Sequence, residues 1–167
     1  AQALESSLTL SKSALDNTLD NTIEQAAALQ VEIISRTSMG GTAAETLRLS
    51  GETARFSQVG LYNPADGTTE LISNPAALPP PPAEKEVAEE LQRHGSSRSV
   101  TNINGKLYAQ GWLALPAAQE KGKALFFRRP IPDNVARDAE LIENARSKYA
   151  ELTYAKQGLQ TFFLITL

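Results

Sequence analysis

The residues best equipped to bind something fall on three short segments of the middle of the chain. In the segment from Lys106 to Leu115, alternation sends Leu107, Ala109, Gly111, Leu113 and Leu115 one way. Tyr108, Gln110, Trp112 and Ala114 point the other way. The first face is core. The second sets two large amphipathic rings and an amide beside a small residue. Such a face lines a pocket, or packs beneath a helix. Arg128 and Arg129 close a later strand, and alternation puts them on opposite faces. At most one can aim at a pocket, where its guanidinium forks onto a carboxylate or phosphate. The plainer reading is a surface arginine tied to a long helix. Tyr62, on an earlier strand, is a third candidate wall. The candidate ligand-binding set is therefore Tyr62, Tyr108, Gln110, Trp112, Arg128 and Arg129.

Catalytic chemistry finds little to work with. The chain has no cysteine, so disulfides, thiolate metal sites and cysteine nucleophiles are excluded. Its single histidine, His94, follows a charged segment and precedes Gly95-Ser96-Ser97, which reads as a solvated helix end. One histidine without cysteines makes no zinc site of the usual kind. Gly105-Lys106 and Gly122-Lys123 lack the spacing of a phosphate-binding loop, and no Gly-x-Ser-x-Gly elbow occurs. Glu84/Glu86 and Glu89/Glu90 read as solvating charge on a helix face. No catalytic residue, metal or cofactor is expected. The net charge is -3 with no basic stripe, which argues against a nucleic-acid partner.

These segments must be positioned by the rest of the 167 residues, of which 41% are apolar and 21% charged, enough for one core. From about Gln2 to Ser38 there is neither Pro nor Gly, and Leu8, Leu15, Thr22 and Leu29 fall at seven-residue steps, as do Leu19, Ala26 and Ile33. The spacing predicts one amphipathic helix of roughly 50 Å. A short helix is expected from Thr42 to Leu49. Strands are expected from Phe56 to Asn63 and from Thr68 to Ser73, joined by the Asn63-Pro64-Ala65-Asp66-Gly67 turn. Asn74 to Pro82, with four consecutive prolines, is a stiff extended connection. A helix from Ala83 to Arg93 precedes a strand from Arg98 to Ile103. Asn104-Gly105 turns that strand tightly into Lys106 to Leu115. The last strand runs from Gly122 to Arg129 and is broken by Pro130 and Pro132. From Asp133 to Leu167 a second long helix is expected, running into the apolar Phe162 to Leu167 as if entering a membrane. The fold class is α+β: one domain over 1–167, with long helices at 1–38 and 133–167 flanking a mixed sheet core at 54–132. The absence of an initiator Met or signal peptide suggests a start inside a longer protein.

The segment Leu125 to Leu167, LFFRRPIPDNVARDAELIENARSKYAELTYAKQGLQTFFLITL, carries a family likeness. A strand ends in Pro-x-Pro, and a helix with Tyr149, Leu152, Lys156, Gly158 and Leu159 precedes an apolar run. This resembles the entry to the second transmembrane helix of NtrY-type nitrogen-regulation sensor histidine kinases. With the long first helix and small sheet, the whole resembles their PAS-like or Cache-like periplasmic domains. The resemblance implies a two-component receptor of the inner membrane, with this domain in the periplasm and the kinase elsewhere in the protein. It supplies no binding motif. The expected partners are an unknown small-molecule ligand or periplasmic protein, the membrane through flanking helices, and a second copy in a homodimer through the long helices. Two other outputs share these features, a chemoreceptor and a cyclic-dinucleotide signalling receptor. A soluble helical adaptor is the remaining alternative.

Overall fold

The computed structural model describes residues 2–116 and 122–137, with side chains from 12 onward. Helix α1 spans Gln2–Ser38, as its freedom from Gly and Pro predicts. It stops at Gly40, whose φ of 93° suits glycine, and the Gly41 N–H closes the end on the Arg36 carbonyl at 2.9 Å. Helix α2, Ala43–Leu49, starts where the Thr42 hydroxyl accepts from the Glu45 N–H. A 3-10 turn at Gly51–Arg55 then carries the chain to buried Phe56. Helix α3 is Lys85–His94, and Gly95 caps it in the left-handed conformation.

Five strands follow the expected alternation: β1 Gln58–Tyr62, β2 Thr69–Ser73, β3 Ser96–Ile103, β4 Lys106–Ala114 and β5 Ala124–Pro130. They form one antiparallel sheet in the order β2-β1-β5-β4-β3. The β3–β4 hairpin turns on Asn104 and Gly105, both at positive φ, so Ile103 pairs with Lys106. β5 lies between β1 and β4, which unites the two hairpins.

Register divides the sheet into two faces. On one, Val59, Leu61, Leu113, Leu125 and Phe127 pack against Ala26, Leu29 and Ile33 of α1 and against α2. Removing such side chains from water is the main drive for this packing. Polar bonds flank the stripe: Gln30 donates to the Ala114 carbonyl at 2.8 Å, and Arg98 pairs with Asp20. On the other face, Tyr62, Trp112, Ala124 and Phe126 pack beneath Val87 and Leu91 of α3.

The heptad spacing of α1 thus has an origin inside the chain. Leu19, Thr22, Ala26, Leu29 and Ile33 are buried. A helix on its own sheet shows nearly the same period as a helix in a coiled coil. The chain divides into two compact units, residues 17–131 and residues 1–16 with 132–167. Residues 133–137 are helical, as expected at the start of the second long helix. The reading of 138–167 as a helix running into a membrane lies outside the described residues. Among the described residues no helix is long and apolar enough to cross a membrane.

Candidate functional site

Arg128 faces the side of the sheet away from α1, and it is only 2% exposed. Alternation along β5 sets it two residues beyond Phe126, and its guanidinium carbon lies 5.1 Å from the centre of that ring. The register brings Gln58 of β1 and Gln110 of β4 to its two sides. Arg128 Nε donates to Gln110 Oε1 at 3.0 Å, and Nη1 donates to Gln58 Oε1 at 3.1 Å. Nη1 also donates to the Pro79 carbonyl. Gln110 passes the chain on, its amide donating to Ser99 Oγ at 3.1 Å.

The proline-rich segment closes over this cluster as a strap. Gln58 Nε2 donates to the carbonyls of Leu78 at 2.8 Å and Asn74 at 3.2 Å. Pro81 is buried, while 74–77 and Pro79–Pro80 lie exposed. Repeated proline supplies carbonyls without N–H donors. In the bonds of Gln58 and Arg128 the sheet provides the donors and the strap the acceptors.

The electrostatics are unusual for so buried a cation. Every acceptor on Arg128 is neutral, and among the described residues no carboxylate lies within ion-pair distance of it. Buried charges are ordinarily paired. Burial holds the Arg128 pKa below the ordinary guanidinium value, with an opposing contribution from Tyr108. The group remains a cation near neutrality. Close by, Trp112 stacks at a tilt on Phe126, ring centres 5.5 Å apart, and meets Tyr62 edge-on at 6.4 Å. Trp112 is 2% exposed, and its indole N–H has no hydrogen-bond partner among the described residues.

Five of the six candidate residues share this face, but they do not form one lining. Arg128 and Gln110 are bonded to each other. Trp112 and Tyr62 form an adjoining aromatic group under α3. Tyr108 lies beyond Gln110, half-buried, with the Lys106 ammonium 5.8 Å from its ring centre. Arg129 departs from the set: it points to the α1 face and donates to Gln25 Oε1. Alternation dictates that separation. Gln58 is the member that sequence reasoning missed. It is 1% exposed, and its parity with Tyr62 on the same strand was the available signal.

His94 is exposed at the end of α3, as its sequence context predicts. It borders an open hollow of about 390 Å³ with Asp20, Glu90 and Arg98. The charges there are engaged, since Arg98 pairs with Asp20 and Ser97 donates to Glu90 at 2.6 Å. Among the described residues no group of three or more His, Cys, Asp or Glu could hold a metal ion.

Tyr62 gives this face a titration signature. Desolvation raises its pKa above 10.0, and the charge of Asp66 raises it further. The folded state therefore holds the phenolic proton more tightly than the unfolded chain does. The corresponding stability is fully present below pH 10 and is lost as pH rises from there through the folded pKa. Tyr62→Phe is expected to flatten the alkaline limb of stability against pH, measured by urea unfolding at a series of pH values. An unchanged limb contradicts this assignment.

No protein-family model matches the chain, and no curated protein is significantly similar to it.

Proposed function

We propose that the chain is the extracytoplasmic signal-sensing domain of a membrane-bound sensor histidine kinase of the NtrY-like type. One observation carries the reading most. α1 and α2 cover one face of the sheet, while the other, beneath α3 and the strap, holds beside aromatic rings a cation with no carboxylate partner among the described residues. A domain built to pass a signal needs such a division, with a receiver on one side of a sheet and a transmitting element on the other.

The sheet order β2-β1-β5-β4-β3, with a long helix against one face, fits a PAS-like or Cache-like domain. The likeness of Leu125 to Leu167 to the membrane entry of NtrY-type kinases supports the kinase output. Signal passage in this reading runs through α1. Its residues Ala26, Leu29 and Ile33 are packed on β1 and β5, and Gln25 receives a bond from Arg129, the neighbour of Arg128. A ligand acts by its differential affinity for two packings of helix on sheet. The homodimer belongs to the same proposal. Because Leu19, Thr22, Ala26, Leu29 and Ile33 are buried within the chain, a seam along residues 19–38 has to use other residues, such as exposed Val31 and Ile34.

Location tests the reading. Met39 is 84% exposed at the end of α1, and the chain has no cysteine of its own. Met39→Cys in the full-length protein is expected to react with a membrane-impermeant maleimide in intact cells.

A further inference from the structure

We propose that Arg128 is the binding point for a small oxyanion, a carboxylate or phosphate group, which displaces the Pro79 carbonyl and releases the 74–82 strap from the sheet. This deepens the sensor reading and rests on it for the choice of receiving face. Three observations converge on it.

The first is charge. Arg128 carries a full positive charge into a site whose acceptors are two side-chain amides and one backbone carbonyl. A bond from guanidinium to an anion adds the attraction of opposite charges, at close range and away from bulk water, which a neutral carbonyl does not supply. An oxyanion that reaches Nη1 therefore outcompetes a carbonyl there. The planar fork suits a carboxylate or phosphate in particular.

The second is exchangeability. Pro79 belongs to the strap, not to the sheet, and so can leave without breaking a strand ladder. Beyond Arg128, the strap is tied to the sheet by Gln58, through the carbonyls of Asn74 and Leu78. Asn74 adds a longer bond to the Ser57 carbonyl at 3.3 Å. No residue from 74 to 83 is charged, so the strap brings no anion of its own.

The third is a second donor. The Trp112 indole N–H is buried on the same face without a partner among the described residues. Phe126 touches both groups, with the Trp112 ring 5.5 Å away and the Arg128 guanidinium 5.1 Å away. Two donors thus lie on the same buried face, with no acidic partner to either among the described residues, which favours a ligand rich in acceptors.

Trp112 is the sole tryptophan, so its fluorescence reports this face without labelling. The test titrates the 167-residue chain with succinate and, separately, inorganic phosphate, at constant ionic strength. The expected result is a saturable change in Trp112 emission below about 10 mM for one of the two anions. Which anion saturates identifies the carboxylate or the phosphate source. The response is expected to vanish in Arg128→Gln and to persist in Arg129→Gln, which alters the opposite face. Hydrogen exchange at the Ala77 amide, which donates to the Asn74 carbonyl at 3.0 Å, is expected to quicken on saturation while that of β5 is unchanged. If Arg128→Gln does not fold, Gln58→Leu replaces it. That variant keeps the charge, removes a competing acceptor and loosens the strap, so binding tightens by about 2- to 10-fold, the worth of one net hydrogen bond. No saturable change with either anion overturns the proposal, as does an equal response in Arg128→Gln. Equal or weaker binding in Gln58→Leu, or slower strap exchange on saturation, overturns it too. The maleimide experiment reads location alone, so a failure of anion binding and a failure of the sensor reading give different results.

Discussion

Gly60→Val is expected to unfold most of the 167-residue chain at temperatures where the unaltered chain is folded. Gly60 sits in β1 at a register shift opposite β2. A Cβ there would collide with the Glu70 carbonyl oxygen and come within 3.2 Å of Leu71 Cα. Both neighbours are backbone, so no rotamer change relieves the clash, and the strands must part. Overpacking of this kind costs about 1–3 kcal/mol when side chains can yield, and more when they cannot. Loss of the β1–β2 ladder adds to it. For a domain of this size we expect a fall in Tm of about 10 °C or more, measured by calorimetry. The same displacement moves Gln58, two residues earlier, which ties down the strap. An ordinary Tm in Gly60→Val contradicts the β1–β2 register.

Arg128→Ala and Arg128→Met are expected to separate the structural worth of Arg128 from its use. The alanine variant leaves Gln58, Gln110 and Pro79 without their donor and opens a void beneath the strap. Each buried acceptor left without its donor costs about 1–3 kcal/mol, and the void adds to it. Met refills most of the volume and abolishes the desolvation of a cation. Like alanine it leaves the three acceptors without their donor, so it relieves only the cavity and desolvation costs and is expected to be about 2 kcal/mol less destabilising than alanine. Urea unfolding of the two variants measures the difference. Neither is expected to bind an oxyanion. A methionine variant as unstable as the alanine one shows that the guanidinium bonds hold the fold. A tolerated methionine leaves binding as the reason for an arginine there, a trade of stability for function.

Much of the fold was legible because its signals are local. The Gly- and Pro-free run over α1, Asn104-Gly105 and the alternation of Lys106 to Leu115 each fix an element through near neighbours in sequence. The opposed directions of Arg128 and Arg129 followed from parity alone. Other features needed the register between distant segments. Gln58 joins Arg128 and Gln110 only because β5 pairs with both β1 and β4. The strap read as an extended, structureless connection, which holds for 79–82, whereas 74–78 turns, with the Ala77 N–H donating to the Asn74 carbonyl at 3.0 Å. Its role lies in the carbonyls of Asn74, Leu78 and Pro79, and every residue has a carbonyl. The seven-residue spacing of α1 was ambiguous for a physical reason. A helix buries such a stripe equally well on a sheet or on another helix, and Leu29 and Ile33 are buried in their own chain.

An extracytoplasmic sensor must lie on the outer side of the membrane that anchors it. Met39→Cys gives the full-length protein a reporter at an 84% exposed position just past α1. Labelling with a membrane-impermeant maleimide is compared in intact and permeabilised cells, against full-length protein without the substitution. We expect Met39→Cys to be labelled in intact cells as fully as after permeabilisation. Labelling that appears only once the membrane is breached puts the domain on the cytoplasmic side and contradicts an extracytoplasmic sensor.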